Sequence, residues 1–189
     1  KRNIANRTDL TESNSNYDLV EYLSQDKDFI TRFSIACYGP TLSNIQDQSK
    51  KEKLFKQLAS DKHPGIRKAI ARRSDLLELN IDLRNKLINQ LAKDEAEGIR
   101  DLIASKNYLL EIDPSGKIIK QLANDESSVV RQRIFNIYKK SLLQIDPSGD
   151  LFKKLSKEKD EYIKSLRKKR TMNNKNESIL KKYIETLIS

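Results

Sequence analysis

An acid and a base recur along this chain six residues apart: Asp26 with Arg32, Asp61 with Arg67, Asp94 with Arg100, Asp125 with Arg131 and, altered, Glu158 with Lys164. A row of carboxylates has the chemistry for general acid or base work. Repetition of each acid with its own cation argues instead for a structural ladder. In such a ladder each Asp caps free N–H groups at a turn and meets an arginine of its own or a neighbouring unit. His63 is the sole histidine and Cys37 the sole cysteine, which leaves neither a disulfide framework nor a conventional zinc cluster. A nucleophilic Cys37 would need a histidine beside it, and His63 belongs to the next repeat, so Cys37 is expected as a small buried hydrophobe and His63 as a solvent-exposed turn residue. The glycines, Gly39, Gly65, Gly98, Gly116 and Gly149, are scattered and build no phosphate loop. No catalytic residue, metal or cofactor is expected, and the chain is expected not to be an enzyme.

What must position these pairs is a repeat. "IARRSDLL" at 70–77 is echoed by "IANRTDL" at 4–10 and "IASKNYLL" at 103–110. The longer segments around Leu23, Leu58, Leu91, Leu122 and Leu155 align without gaps, at separations of 35, 33, 31 and 33 residues. Four before each anchor stand Leu19, Leu54, Leu87, Ile118 and Leu151; three before it stand Val20, Phe55, Ile88, Ile119 and Phe152. Those offsets make one face of a helix. A second amphipathic helix follows from Thr31, Ile66, Ile99, Val130 and Ile163 eight after the anchor, and from Ile35, Ile70, Ile103 and Ile134 twelve after it, a column that Arg167 breaks.

Each unit therefore reads as a helix pair, over 17–42, 51–77, 83–110, 114–143 and 147–172. Residues 1–10 are expected as the tail of an earlier unit and 178–189 as the first helix of a further one, so that these half units either cap the stack or mark a slice of a longer array. Pro64 is expected at the first position of its helix. "DPSG" at 113–116 and 146–149 is expected to place Asp113 and Asp146 as N-caps with Pro114 and Pro147 next to them. Longer polar connections, 37–53 and 167–178, are expected to be mobile.

The D-x-x-x-x-[VI]-R pattern of "DKHPGIR", "DEAEGIR" and "DESSVVR" resembles HEAT repeats, and "IRKAIARRSDL" after "LASD" resembles the leucine-rich repeat variant group of HEAT-like proteins. The resemblance covers nearly the whole chain and implies an all-α fold: a curved, right-handed α-solenoid of stacked antiparallel helix pairs, here with a period of about 31–35 residues, with second helices lining the concave side. It implies binding, mostly of proteins, and transfers no reaction.

Composition agrees with an exposed helical array, with 37% hydrophobic and 34% charged residues. No run of eighteen apolar residues marks a membrane span, and the first residues do not read as an export signal, so a cytoplasmic location is expected. The net charge of +10 is unevenly spread: −1 over 1–50, +4 over 51–100, 0 over 101–150 and +7 over 151–189. Opposite the apolar columns of the second helices lie Lys68, Arg72 and Asp75; Asp101, Ser105 and Tyr108; Gln132, Asn136 and Lys139, together carrying +1. So mixed a face suits a protein or peptide partner. Arg73, Lys106, Lys139 and Lys140 fall near the ends of second helices, where cations complement the helix dipole without any ligand. The alternative is nucleic-acid binding similar to that of HEAT-like DNA glycosylases, using the basic residues and above all Arg167, Lys168, Lys169 and Arg170. The catalytic Asp and Trp of those enzymes cannot be carried over, since the chain has no Trp.

Overall fold

The computed structural model describes residues 14–168, which form helices and turns with no strand among them. The partial unit at 1–10, the terminal helix at 178–189, Lys169 and Arg170 lie outside the described residues. The chain divides into two compact units, Lys1–Ile137 and Tyr138–Ser189.

The first unit holds α1 (Asn14–Ser24), α2 (Phe29–Cys37), α3 (Gly39–Ser43), α4 (Gln48–Ala59), α5 (Pro64–Arg72), α6 (Ile81–Leu91), α7 (Glu97–Ala104), α8 (Leu109–Ile112), α9 (Lys117–Ala123) and most of α10 (Ser128–Tyr138). The two apolar columns explain why these segments pair. Leu23, Leu58, Leu91 and Leu122 are buried on the first helices, and Ile35, Ile70, Ile103 and Ile134 on the second. Full burial of one such side chain stabilises by about 1.5–3 kcal/mol. First helices touch first helices, α1 with α4 and α4 with α6, while second helices touch second, α2 with α5 and α5 with α7. Within pairs, α1 packs on α2, α4 on α5 and α6 on α7.

Turn chemistry departs from expectation in three places. Pro64 does open α5, with His63 as its N-cap, but "DPSG" is a turn placed ahead of the helix. Gly116 N–H donates to Asp113 O at 2.9 Å, Gly116 takes a φ of +67°, and α9 begins only at Lys117. Asp113 still caps, by accepting from Ile118 N–H at 2.8 Å. Glycine wins over proline as the boundary because the left-handed conformation is open to it without a Cβ clash. Secondly, the second helices are shorter than the repeat: α5 stops at Arg72 and α7 at Ala104, and the residues beyond them form the 3-10 turn Asp75–Glu78 and α8 respectively. Thirdly, the expected mobile connection at 37–53 contains α3 and the start of α4, with Thr41, Leu42 and Lys51 buried.

The second unit begins with α11 (Leu142–Ile145), repeats the "DPSG" turn with Gly149 at φ +73° and Asp146 accepting from Leu151 N–H at 2.9 Å, and continues as one helix, α12, over 150–168. A helix pair with a break near Glu158 was expected here. The segment "SKEKDEY" carries Lys and Glu, which extend helices, where "SDKHPG" carries Asp, Pro and Gly, which stop them. With Ile163 only half-buried and Arg167 exposed, no apolar column drives a second member to fold back.

Candidate functional site

The acid and base rows become a continuous link in the first unit. Arg32 Nε and Nη2 donate to Asp61 at 2.6 and 3.0 Å, Arg67 to Asp94 at 2.6 and 2.8 Å, and Arg100 to Asp125 at 2.7 and 3.0 Å. Each arginine belongs to the pair before its aspartate. Its Nη1 also donates to the backbone carbonyl of the Asp six residues upstream: Arg32 to Asp26 O, Arg67 to Asp61 O, Arg100 to Asp94 O and Arg131 to Asp125 O. Each Asp accepts in turn from the N–H two residues on, at Asp28, His63, Ala96 and Ser127. One guanidinium thus ties two consecutive turns, and these carboxylates are committed to structure. Burial alone would push the Asp61 carboxyl up; hydrogen bonds from Arg32 and His63 N–H outweigh it, and its pKa is lowered. Asp94 is lowered in the same way by Arg67 and Ala96 N–H. Glu158 and Lys164, the altered pair, lie along α12 with no turn between them.

A second link was not foreseen. Gln57 Nε2 donates to Ser24 O at 2.9 Å, Gln90 to Ala59 O at 3.0 Å and Gln121 to Ala92 O at 2.9 Å. In every case a glutamine just before the anchor satisfies a carbonyl just after the preceding anchor, at the exposed end of a first helix. The signal was present as "KQL", "NQL" and "KQL".

With the turns locked on one side, an open cleft of about 610 Å³ lies between α2 and α5 on the other. Phe33, Ala36 and Ala69 make its apolar wall, and Lys68, Arg72 and Arg73 its basic side. Arg73 closes one end with a buried network. It grips Asp75 through Nε and Nη2 at 2.8 and 2.6 Å and donates to Ala36 O at 3.1 Å, while Ser43 Oγ donates to Asp75 at 2.8 Å. Burial would raise the Asp75 carboxyl, but Arg73, Ser43 and Lys51 bring it below its ordinary value. Lys68 rests over the next second helix, where a Cβ on Gly98 would stand 3.1 Å from its Nζ.

Cys37 lies in this cleft and is exposed, not buried as expected, because α2 ends there and turns its last residue outward. Partial burial raises its thiol pKa, against a smaller opposing pull from Arg72 and Arg73. A thiol held protonated is a poor nucleophile. His63 is half-buried, stacked on Phe29 at 4.3 Å, with Nδ1 accepting from Gly65 N–H at 3.1 Å. That lone pair serves the N-cap of α5.

Of the residues expected on the binding face, Lys68, Arg72 and Asp75 meet at this cleft. Asp75 is buried and spent on Arg73, which corrects its assignment as a contact residue. Asp101 is bound by Arg133 at 2.9 and 3.1 Å. Ser105 is the C-cap of α7, and Tyr108 is half-buried at the start of α8 instead of projecting from a second helix. Gln132 and Asn136 lie on α10, and Lys139 belongs to the second unit. Arg167 and Lys168 are exposed on α12, the last of the described residues. Among the described residues no group of acidic, histidine and cysteine side chains is arranged to hold a metal ion, and no helix is long and apolar enough to cross a membrane. No protein-family model matches the chain, and no curated protein matches it.

Proposed function

We propose that this chain is a HEAT-like solenoid and works without catalysis, as a cytoplasmic scaffold that recognises a protein or peptide partner on the face formed by its second helices. The solenoid reading is supported by first helices meeting first helices, second meeting second, and by the two side-chain links that recur at the repeat spacing. The observation that carries the binding reading is the cleft between α2 and α5. It brings exposed Phe33 and Arg72 and half-buried Lys68 around an apolar floor, while the nearby carboxylates and the histidine are occupied by structural bonds.

Affinity capture from cell extract with nuclease treatment, comparing wild type with Phe33→Ser and Arg72→Ala, tests this reading. A protein captured by wild type and lost with both variants, at unchanged helicity, supports it. Capture that disappears with nuclease, or that neither variant alters, rejects this face as the partner site.

A further inference from the structure

The charges of the cleft do not cancel, and the remainder specifies a partner. Four formal charges line it: Lys68, Arg72, Arg73 and Asp75. Arg73 and Asp75 neutralise one another in a buried two-point pair, with side chains 7% and 7% exposed. Lys68 and Arg72 stand four residues apart on α5, so they share one face. Neither makes an ion pair or side-chain hydrogen bond with any described residue. One unit further along the same row, Asp101 holds the position equivalent to Lys68 and is neutralised by Arg133. Along this row of second-helix positions, which reads Phe33 and Cys37, Lys68 and Arg72, Asp101 and Ser105, Gln132 and Asn136, the uncompensated positive charge therefore falls at the cleft.

Beside that charge the wall is apolar. Phe33 is 38% exposed, and Ala36 and Ala69, with no side chain beyond Cβ, leave room in front of it. A volume of about 610 Å³ suits one large apolar side chain with the backbone on either side of it. Nucleic acid would need several phosphate contacts in a row to bind well, whereas two cations beside an apolar wall suit a short peptide better.

Resting on the scaffold reading above, we propose that the α2–α5 cleft binds an acidic peptide segment, in which one large apolar side chain packs on Phe33 while flanking carboxylates meet Lys68 and Arg72. A carboxylate meets the Arg72 guanidinium in a two-point, charge-assisted geometry, and Lys68 receives the second as a point charge. Asp75 stays with Arg73 and takes no part.

Cys37, the sole cysteine, reports on occupancy from inside the cleft. The probes are three labelled hexapeptides, each with a central Leu-Phe, flanked by Glu, by Gln or by Lys, together with a twelve-nucleotide single strand. Affinity is read by fluorescence anisotropy, and the alkylation rate of Cys37 by a maleimide is read with and without each probe. The Glu peptide is expected to bind at least tenfold more tightly than the Gln peptide, to weaken with salt, and to slow Cys37 alkylation. Arg72→Glu, on an exposed position, is expected to remove that preference, since the cleft charge falls from +2 to zero with Lys68 left beside the new carboxylate.

Equal binding of the Glu and Gln peptides with Cys37 protected overturns the acidic preference and leaves the scaffold reading in place. Protection by the oligonucleotide alone overturns both. No protection by any probe, with Phe33→Ser still abolishing protein capture, overturns the peptide occupant only. Unchanged preference in Arg72→Glu overturns the assignment of the cleft.

Discussion

Arg67 and Arg72 sit five residues apart on α5 and meet opposite fates. Arg67, at the turn side, is buried and spends its donors on Asp94, Glu95 and the carbonyls of Asp61 and Lys62. Arg72, in the last turn, is exposed at the cleft. The same side chain is a structural tie at one end and an exposed cation at the other. What separates them is the neighbour that each end of the helix meets: a turn with an aspartate ready to pair, or a gap in the row. Their separation gives a direct means of telling stability from binding.

The largest effect is expected on the turn side. Arg67→Ala leaves the Asp94 carboxylate buried without its cation, and breaking one partner of such a pair costs about 3–5 kcal/mol. Urea denaturation should show a lower midpoint at unchanged slope. The Arg67→Ala, Asp94→Ala double variant should recover part of the loss, since the stranded charge is removed with its partner. A midpoint within about 0.5 kcal/mol of wild type in Arg67→Ala would show that the link is not stabilising.

Acid should weaken the turn side. The Asp61 and Asp94 carboxyls are lowered in the folded chain from an ordinary value of 3.8. Their contribution is therefore complete above about pH 5, where both folded and unfolded forms are ionised. It falls as pH drops through the lower folded values, because the unfolded chain takes up the protons first. Denaturation midpoints measured from pH 6 downward should decline on the acid side, and the decline should be shallower in Arg67→Ala, whose Asp94 has lost its partner. Parallel curves for the two proteins would contradict this account.

Apolar periodicity was legible because burial acts on every repeat alike: Leu58, Leu91, Ile70 and Ile103 are all fully buried. The acid and base rows were legible for the same reason, although residue types alone could not say that Arg67 would choose the next Asp over its own. Three things were hidden. Helix ends depend on single residues, so Gly116 and Gly149 moved two boundaries that proline was expected to mark. In the last repeat the loss of Pro, Gly and the apolar column joined two expected helices into α12. The cleft depends on α2 ending at Cys37 and on the pair Arg73–Asp75, whose positions are held by Lys106 and Tyr108 in the copy at 103–110. Repetition reveals what all units share, and a binding site on such a fold lies where one unit differs.

The glutamine link should give a smaller loss than the arginine link. Gln90→Ala removes a neutral hydrogen bond to Ala59 O and one to Ser60 Oγ at 3.1 Å, at a partly exposed site. Water can replace both, so a loss of about 1 kcal/mol is expected by the same denaturation measurement. A loss as large as that of Arg67→Ala would place the main stabilisation between units in the glutamines.

The smallest effect on stability belongs to Arg72, and it decides whether the comparison holds. Arg72→Ala removes an exposed cation with no ion pair among the described residues, although it lies in the last turn of α5, where a positive charge complements the helix dipole. The two considerations together give a change within about 0.5 kcal/mol, in the range of ordinary surface substitutions. Cleft occupancy should fall far more steeply, since Arg72 is half of the uncompensated charge. Measured side by side, the variant should match wild type in urea and lose affinity for an acidic peptide. If instead Arg72→Ala lowered the midpoint as much as Arg67→Ala, both ends of α5 would be structural, and the cleft would have no open cation of its own to offer a partner.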